Sequence, residues 1–453
     1  MPEKNKCYEA EITGMTSEGS GVCRIDGMAV FVPMTAVGDL LSVKIVKVLK
    51  NYSFGIIEKL IKPSPDRTES DSCPIYRKCG GCVFRHISYE AECRIKAGIV
   101  EDAFRRLGGL DPEFGTFLGA EKSERYRNKA QYPLAMQDGK AVCGFYAPRS
   151  HRVIPVEDCP LQPEVFSEIV NFILGYINKN KLPVYDESAH SGLLRHIYIR
   201  RGAYSGEIMV CFVTRKECSA LLAPLSEALK ERFSDITSVS MNINPDRTNV
   251  ILGKRTVTLL GKEFITDIMC GNSVQIAPQS FYQVNTVQAE RLYRKACEYA
   301  DPQPDDVLAD LYCGVGTIGL SMAERVRSIV GVEIIPDAIE NARINAARNS
   351  IENAEFFCGD AGEVFGKLRK KGCRPDIIII DPPRKGCSEE TVDLIAEAQP
   401  RKIVMISCNP ATAARDAKLL SERGYITEKV CGCDLFPRTR HVECVVLLSK
   451  QKS

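Results

Sequence analysis

Three rhythms of apolar and polar residues follow one another along the chain. Between residues 7 and 62 the segments YEAEITGM, GVCRI, MAVFVP, LLSVKIVKVL and FGIIEKL alternate apolar with polar positions across glycine-bearing turns. A period of two marks half-buried strands, and this spacing predicts a small antiparallel barrel. The stretch KPSPDRTESDS (62–72) is polar and contains proline, as a linker does. Residues 73–268 mix the periods, with a helical pattern over Ala91–Leu107 and strand-like runs at Ala130–Ala135, His196–Ile199 and Ile208–Thr214. From about 269 onward short β-branched runs alternate with helical patterns: Val307–Leu311, Ser328–Val332, Ala354–Phe357, Ile377–Ile380 and Ile403–Ser407. That alternation predicts a parallel, doubly wound α/β sheet, whose ligand site lies beyond the carboxyl ends of its strands. The expected organisation is a barrel over 1–62, an α+β region over 63–268 and an α/β domain over 269–453.

Composition narrows this picture a little. At 453 residues the chain exceeds one ordinary core, and 44% hydrophobic with 26% charged residues is the balance of a soluble globular protein. The longest apolar runs, such as Ile377–Ile380, fall far short of a membrane span. The start, MPEKNKCYEA, is polar and mixed in charge, unlike a signal peptide, so a cytoplasmic location is expected. A net charge of +2 leaves the partner open, because a local basic stripe can hide in a neutral total. Twenty cysteines spread through long periodic segments read as reduced thiols, some of them metal ligands or nucleophiles.

The sharpest chemistry falls at strand ends. DLYCGVGTIGL (310–320) closes the first α/β strand, and Gly314, Gly316 and Gly319 satisfy G-x-G-x-x-G, which allows a tight turn and close approach of a ligand. NAD enzymes and methyltransferases share this device. Glu333 ends the next strand, where a carboxylate suits the ribose diol of either cofactor. Asp310, just before the turn, can accept hydrogen bonds from a cationic amino-acid moiety but would repel a pyrophosphate. With Asp360 in FFCGD and Asp381 in DPPR the rim is acidic, which favours S-adenosylmethionine over NAD.

The prolines of DPPR (381–384) stiffen the loop after the fourth strand. Amino-group methyltransferases place a base-stacking aromatic residue where Arg384 stands, which argues against that chemistry. Cys408 sits where the fifth strand emerges, in IVMISCNP, as a candidate nucleophile. A thiolate that adds to C6 of uracil makes C5 nucleophilic towards a sulfonium methyl, and sulfur both attacks and leaves well. Such a site is expected to lower the thiol pKa. The chemistry also needs a base for the C5 proton. Glu443, among apolar neighbours beside His441 in DLFPRTRHVECVVLL, is the candidate.

Together FYQVN (281–285), DLYCGVGTIGL, GVE, DPPRKG, SCNPATAARD (407–416) and DLFPRTRHVE resemble the family of RNA uracil-5-methyltransferases. The resemblance covers the whole C-terminal half and, less sharply, the rest. It implies a C-terminal Rossmann-like, S-adenosylmethionine-dependent methyltransferase domain with Cys408 as nucleophile and Glu443 as base. It implies cofactor contacts from Gln283, Tyr312, Gly314, Glu333, Asp381 and Asp360, and a flipped base held by Phe281. Upstream, Cys73-x5-Cys79-x2-Cys82 with Cys159 in VEDCPLQ is similar to the iron–sulfur ligand set of the ribosomal-RNA branch, placing a [4Fe–4S] cluster in the central α+β domain. Zinc would suit the same four thiolates. The N-terminal barrel resembles the small OB-like TRAM domain of that branch. The tRNA-modifying branch generally lacks both barrel and cluster, so the expected partner is RNA, specifically 23S ribosomal RNA, and neither DNA nor a membrane. In RYRNKAQY (125–132), Arg127 and Lys129 are candidate phosphate contacts. The rivals are a tRNA uridine or cytosine C5 enzyme, a non-catalytic RNA-binding factor on the same fold, and an NAD-linked iron–sulfur oxidoreductase.

Overall fold

A computed structural model describes residues 1–68 and 73–451; the last residues of the expected linker, 69–72, lie outside the described residues. The N-terminal alternation folds as a six-stranded sheet in the order Cys7–Glu11, Leu40–Val48, Tyr52–Lys62, Met28–Pro33, Ser20–Ile25, Gly14–Met15. Its inward positions, among them Ile12, Cys23, Val30, Val32, Leu41, Val43 and Ile45, make a closed apolar core. The expected all-antiparallel pairing is broken once: Met28–Pro33 and Tyr52–Lys62 run parallel. The strand Leu40–Val48 between them in sequence returns the chain so that both point the same way.

A second sheet of seven strands spans Lys129 to Gly261, in the order Val153–Pro155, Lys140–Tyr146, Lys129–Gln137, Leu194–Arg201, Ile208–Thr214, Ile236–Ile243, Arg255–Gly261. Helices Glu164–Asn180 and Ser219–Arg232 bury Phe166, Ile169, Ile173, Leu222, Leu225 and Leu229 against it. Ile208–Thr214 and Ile236–Ile243 are parallel, and Ser219–Arg232 is the crossover helix that such a pair requires.

The C-terminal sheet has eight strands in the order Ala354–Cys358, Ser328–Glu333, Val307–Leu311, Ile377–Ile380, Lys402–Ser407, Glu443–Lys450, Tyr425–Cys433, Glu113–Phe114. Its first five are parallel, whereas Glu443–Lys450 is antiparallel to both of its neighbours. The four isoleucines 377–380 are buried on both faces: Ile377 and Ile379 meet one core, Ile378 and Ile380 the other. This is why the run shows no alternation. Strand order reverses between Val307–Leu311 and Ile377–Ile380, which opens a crevice at their carboxyl ends. Helix Tyr89–Asp102 and the turn after it place Val100, Ala103 and Phe104 in this sheet's core, and Glu113–Phe114 extends its edge. By packing, this stretch sits with the C-terminal sheet and not with the 63–268 region to which its sequence position assigns it. No helix among the described residues is long and apolar enough to cross a membrane.

Candidate functional site

The glycine turn is built as the motif requires. Gly314 and Gly316 take φ of +55° and +82°, and Tyr312 is itself left-handed at +67°. The turn is locked to the next strand, since the Tyr312 and Cys313 amides donate to the Val332 carbonyl at 2.9 and 3.0 Å. Gly319 packs against Asp310, whose carboxylate accepts its amide at 2.8 Å. Asp310 is fully buried and its pKa is raised to about 7 by burial. It lies beneath the turn instead of on the rim where sequence reasoning put it.

A crevice at this point is lined by Phe281, Gln283, Tyr293, Tyr312, Gly314, Thr317 and Asp381, among others. Five of the residues singled out by sequence thus share one wall. Glu333 stands behind the turn, accepting the Gly314 and Ile335 amides at 3.2 and 3.0 Å. Asp360 serves the fold locally: its Oδ1 caps the helix Ala361–Lys370, accepting from the Gly362 and Glu363 amides at 3.0 and 3.2 Å.

Cys408 lies between the end of Lys402–Ser407 and Asn409, the N-cap of the helix Pro410–Ser421. Antiparallel pairing matches Ser407 with Cys444, so the next step of the register sets Cys408 opposite Glu443. Glu443 is buried, and its pKa is raised to about 8 by burial and by Asp381, with Arg384 opposing. Asp381 is raised to about 7 by burial. The Cys408 thiol is not lowered as expected. Burial and the Glu443 and Asp381 carboxylates raise its pKa, against the opposing pull of Arg384.

Arg384 entered the sequence reading only as a residue that is not aromatic. Its carbonyl accepts from Asn409 Nδ2 at 3.1 Å and Thr412 Oγ1 at 3.4 Å, and its guanidinium charge favours the Cys408 thiolate. His441 is held neutral, its pKa lowered to about 4 by burial and by nearby cations that include Arg384 and Arg127. The segment before it is anchored by a buried network: Lys96 contacts Asp434 at 2.7 Å and Glu92 at 2.8 Å, with all three side chains fully buried. Asn128 was also missed. It donates to the Gln283 carbonyl at 2.8 Å and to Thr286 Oγ1 at 2.9 Å, tying RYRNK to FYQVN. A lone asparagine in a basic stretch gives no signal of this.

Of the two candidate phosphate contacts, Arg127 reaches between a groove of about 370 Å³, shared with Lys122, Asn128 and Arg201, and the cysteine cavity. Lys129 opens the strand Lys129–Gln137. Cys73, Cys79, Cys82 and Cys159 line one cavity of about 100 Å³ together with Ile75, Phe145, Val156 and Leu161. Burial pushes the Cys82 thiol up to about 12 and Cys159 to about 11. The donor type fits a thiolate-loving metal. Among the described residues, however, no three His, Cys, Asp or Glu side chains are gathered into a metal-holding group.

A family profile described as tRNA (Uracil-5-)-methyltransferase matches residues 88–451, and one for the TRAM domain matches residues 3–57. An "uncharacterized RNA methyltransferase" of Clostridium tetani is 41% identical, covering 99% of this chain and 97% of its own. One from Oceanobacillus iheyensis is 40% identical over 99% of this chain and 98% of its own. Among solved structures, the Pyrococcus abyssi tRNA (uracil-54, C5)-methyltransferase in complex with S-adenosyl-L-homocysteine superposes with a TM-score of 0.77 at 28% identity, covering 97% of this chain and 99% of that one.

Proposed function

This chain belongs to the tRNA (uracil-5-)-methyltransferase family and is an S-adenosylmethionine-dependent RNA methyltransferase, and on that premise we propose that it methylates C5 of a uridine in 23S ribosomal RNA through a covalent Cys408 adduct. The observation that carries this reading is the register that sets Cys408 opposite Glu443 beside the crevice of Gln283, Tyr312, Gly314 and Asp381. The Cys408 sulfur adds to C6 of the uracil, and the electron pair of the C5–C6 bond moves towards C4–O4. C5 forms its bond to the methyl group, whose old carbon–sulfur bond breaks with its electron pair left on the departing thioether, S-adenosylhomocysteine; Glu443 takes the C5 proton, and breaking of the S–C6 bond returns the Cys408 sulfur with its electron pair. S-adenosylmethionine supplies, when bound, the electrophilic methyl. Gln283, Tyr312, Gly314, Glu333 and Asp381 would hold it, with Asp360 at the edge through its uncapped oxygen. Phe281, two-thirds exposed, meets the extruded base. Two features favour the thiolate: the positive end of the helix Pro410–Ser421 and the Arg384 guanidinium.

Cys73, Cys79, Cys82 and Cys159, which line one small cavity without forming a metal-holding group there, would hold a [4Fe–4S] cluster whose role would be structural, with no electron passed to the reaction. Iron and acid-labile sulfide with visible charge-transfer absorption in anaerobically purified protein support it; zinc without that absorption defeats it.

A tRNA substrate is the second reading. The Pyrococcus abyssi tRNA enzyme covers 97% of this chain, so the N-terminal sheet alone does not select ribosomal RNA. Unmodified 23S and tRNA transcripts, incubated with isotope-labelled S-adenosylmethionine and digested to nucleosides, separate the two. Labelled 5-methyluridine from 23S RNA with native protein and none with Cys408→Ala is the expected result. Label only in tRNA moves the substrate, and an active Cys408→Ala overturns the covalent route.

A further inference from the structure

The strand pair nearest the Phe281 loop carries an unusual cross-strand match. Lys129 and Arg200 are direct partners in the antiparallel register, so their side chains share one face of the sheet. Like charges placed opposite each other destabilise a strand pair. Arg127, two residues upstream of Lys129, adds a third positive charge, and among the described residues no carboxylate ion-pairs with any of the three. Burial and the two arginines depress the Lys129 pKa to about 8. Arg200 is 4% exposed, and its Nη1 has no hydrogen-bond partner among the described residues; the same is true of Arg127 Nε. A buried guanidinium nitrogen without an acceptor is costly, and it is retained where a ligand supplies the acceptor.

The remaining nitrogens of Arg200 are spent on the loop that presents Phe281. Nη2 donates to the Ser280 carbonyl at 2.5 Å, and Nε donates to the Tyr198 hydroxyl, which donates onward to the Pro278 carbonyl at 3.0 Å. Asn128, between Arg127 and Lys129, fastens the other end of that loop through the Gln283 carbonyl. A group bound at Nη1 therefore pulls on the same side chain that holds the loop.

We propose that Lys129 and Arg200, with Arg127 beside them, form a subsite for one phosphate of the RNA backbone next to the extruded nucleotide, and that Arg200 couples occupation of this subsite to the seating of the Phe281 loop. The inference rests on the RNA-methyltransferase reading and adds Arg200, a positioning residue, to it. A phosphate supplies the missing acceptor of Nη1 and removes the repulsion across the strand pair.

The test uses the full chain and the unmodified 23S and tRNA transcripts. Dissociation constants are measured by filter binding at several salt concentrations, and S-adenosylhomocysteine affinity by calorimetry reports on the fold. Lys129→Gln is expected to weaken RNA binding about tenfold and to lower the salt slope by about one, with the S-adenosylhomocysteine affinity unchanged. Arg200→Lys keeps a charge for the phosphate and loses the fork that grips Ser280, so it keeps the salt slope and lowers kcat. Arg200→Gln loses both. Native affinity and slope in Lys129→Gln overturn the subsite, as does failure of the native protein to bind either RNA. An unchanged kcat in Arg200→Lys overturns the coupling. If Cys408→Ala stays active while Lys129→Gln loses RNA affinity, the covalent route falls and the subsite stands.

Discussion

Replacing Glu443 by glutamine is expected to stabilise the fold while stopping the reaction. Glu443 is buried, with a pKa raised to about 8 from an ordinary 4.5 by burial and by Asp381. The folded protein therefore binds this proton more tightly than the unfolded chain, and stability falls as pH rises between those two values. At 1.36 kcal/mol per pH unit, the ionisable group costs about 2 kcal/mol at pH 6 and about 4 kcal/mol at pH 8. A neutral amide of the same shape escapes that cost, so the gain of Glu443→Gln over the native protein grows with pH and levels off above about 8. Urea unfolding at pH 5.5, 7 and 8.5 measures it. On the proposed mechanism the same variant lacks the base for the C5 proton, so the RNA adduct on Cys408 is expected to accumulate and to survive a denaturing gel. Parallel stability curves for both proteins across this range would refute the electrostatic argument. Native turnover in the variant would refute the role of the base.

Three further outcomes follow from the same geometry. The Asp381 carboxyl, raised to about 7, is protonated below that pH and charged above it, so affinity for the cationic S-adenosylmethionine should rise about tenfold from pH 6 to 8 in calorimetry, and less for S-adenosylhomocysteine; a flat profile for both ligands contradicts this. Lys96→Met leaves Asp434 buried without its cation and Glu92 with only Arg438 at 3.6 Å, and should cost about 3–5 kcal/mol in urea unfolding; a loss under 1 kcal/mol shows that the network does not hold the segment before Glu443. A Cβ on Gly331 would stand 2.4 Å from the Phe356 ring, so Gly331→Ala should cost about 1–3 kcal/mol, and adding Phe356→Leu should recover part of it.

The parallel strands were legible because each is a short β-branched run bounded by a turn. Val307–Leu311 and Ile377–Ile380 appear with the bounds that the pattern predicts, and the other three extend by one residue each. Tyr425–Cys433 was not legible, since its polar and apolar residues follow no clean period and it becomes a strand by pairing with Glu443–Lys450. The glycine turn announced itself because only glycine accepts φ of +82° there without strain. Asp360 reads as a ligand for the same positional reason, and its Oδ1 also caps a helix, a use equally natural for an aspartate at a strand end.

Sequence by itself determined what is local and chemical: the α/β rhythm, the turn, the order of DPPR, SCNPAT and HVE, and the residue types that thiol-mediated methylation needs. Only the tertiary structure decided which groups meet. It set Glu443 across from Cys408 through a register between strands 36 residues apart, brought the Arg384 charge to bear on the thiol, sank Asp310 beneath the turn, and left Arg200 with an unfilled donor beside Lys129. The physical reason is that burial and charge act through distance in space. The pKa of a carboxyl, and the cost of an unpaired guanidinium, depend on neighbours contributed by remote parts of the chain.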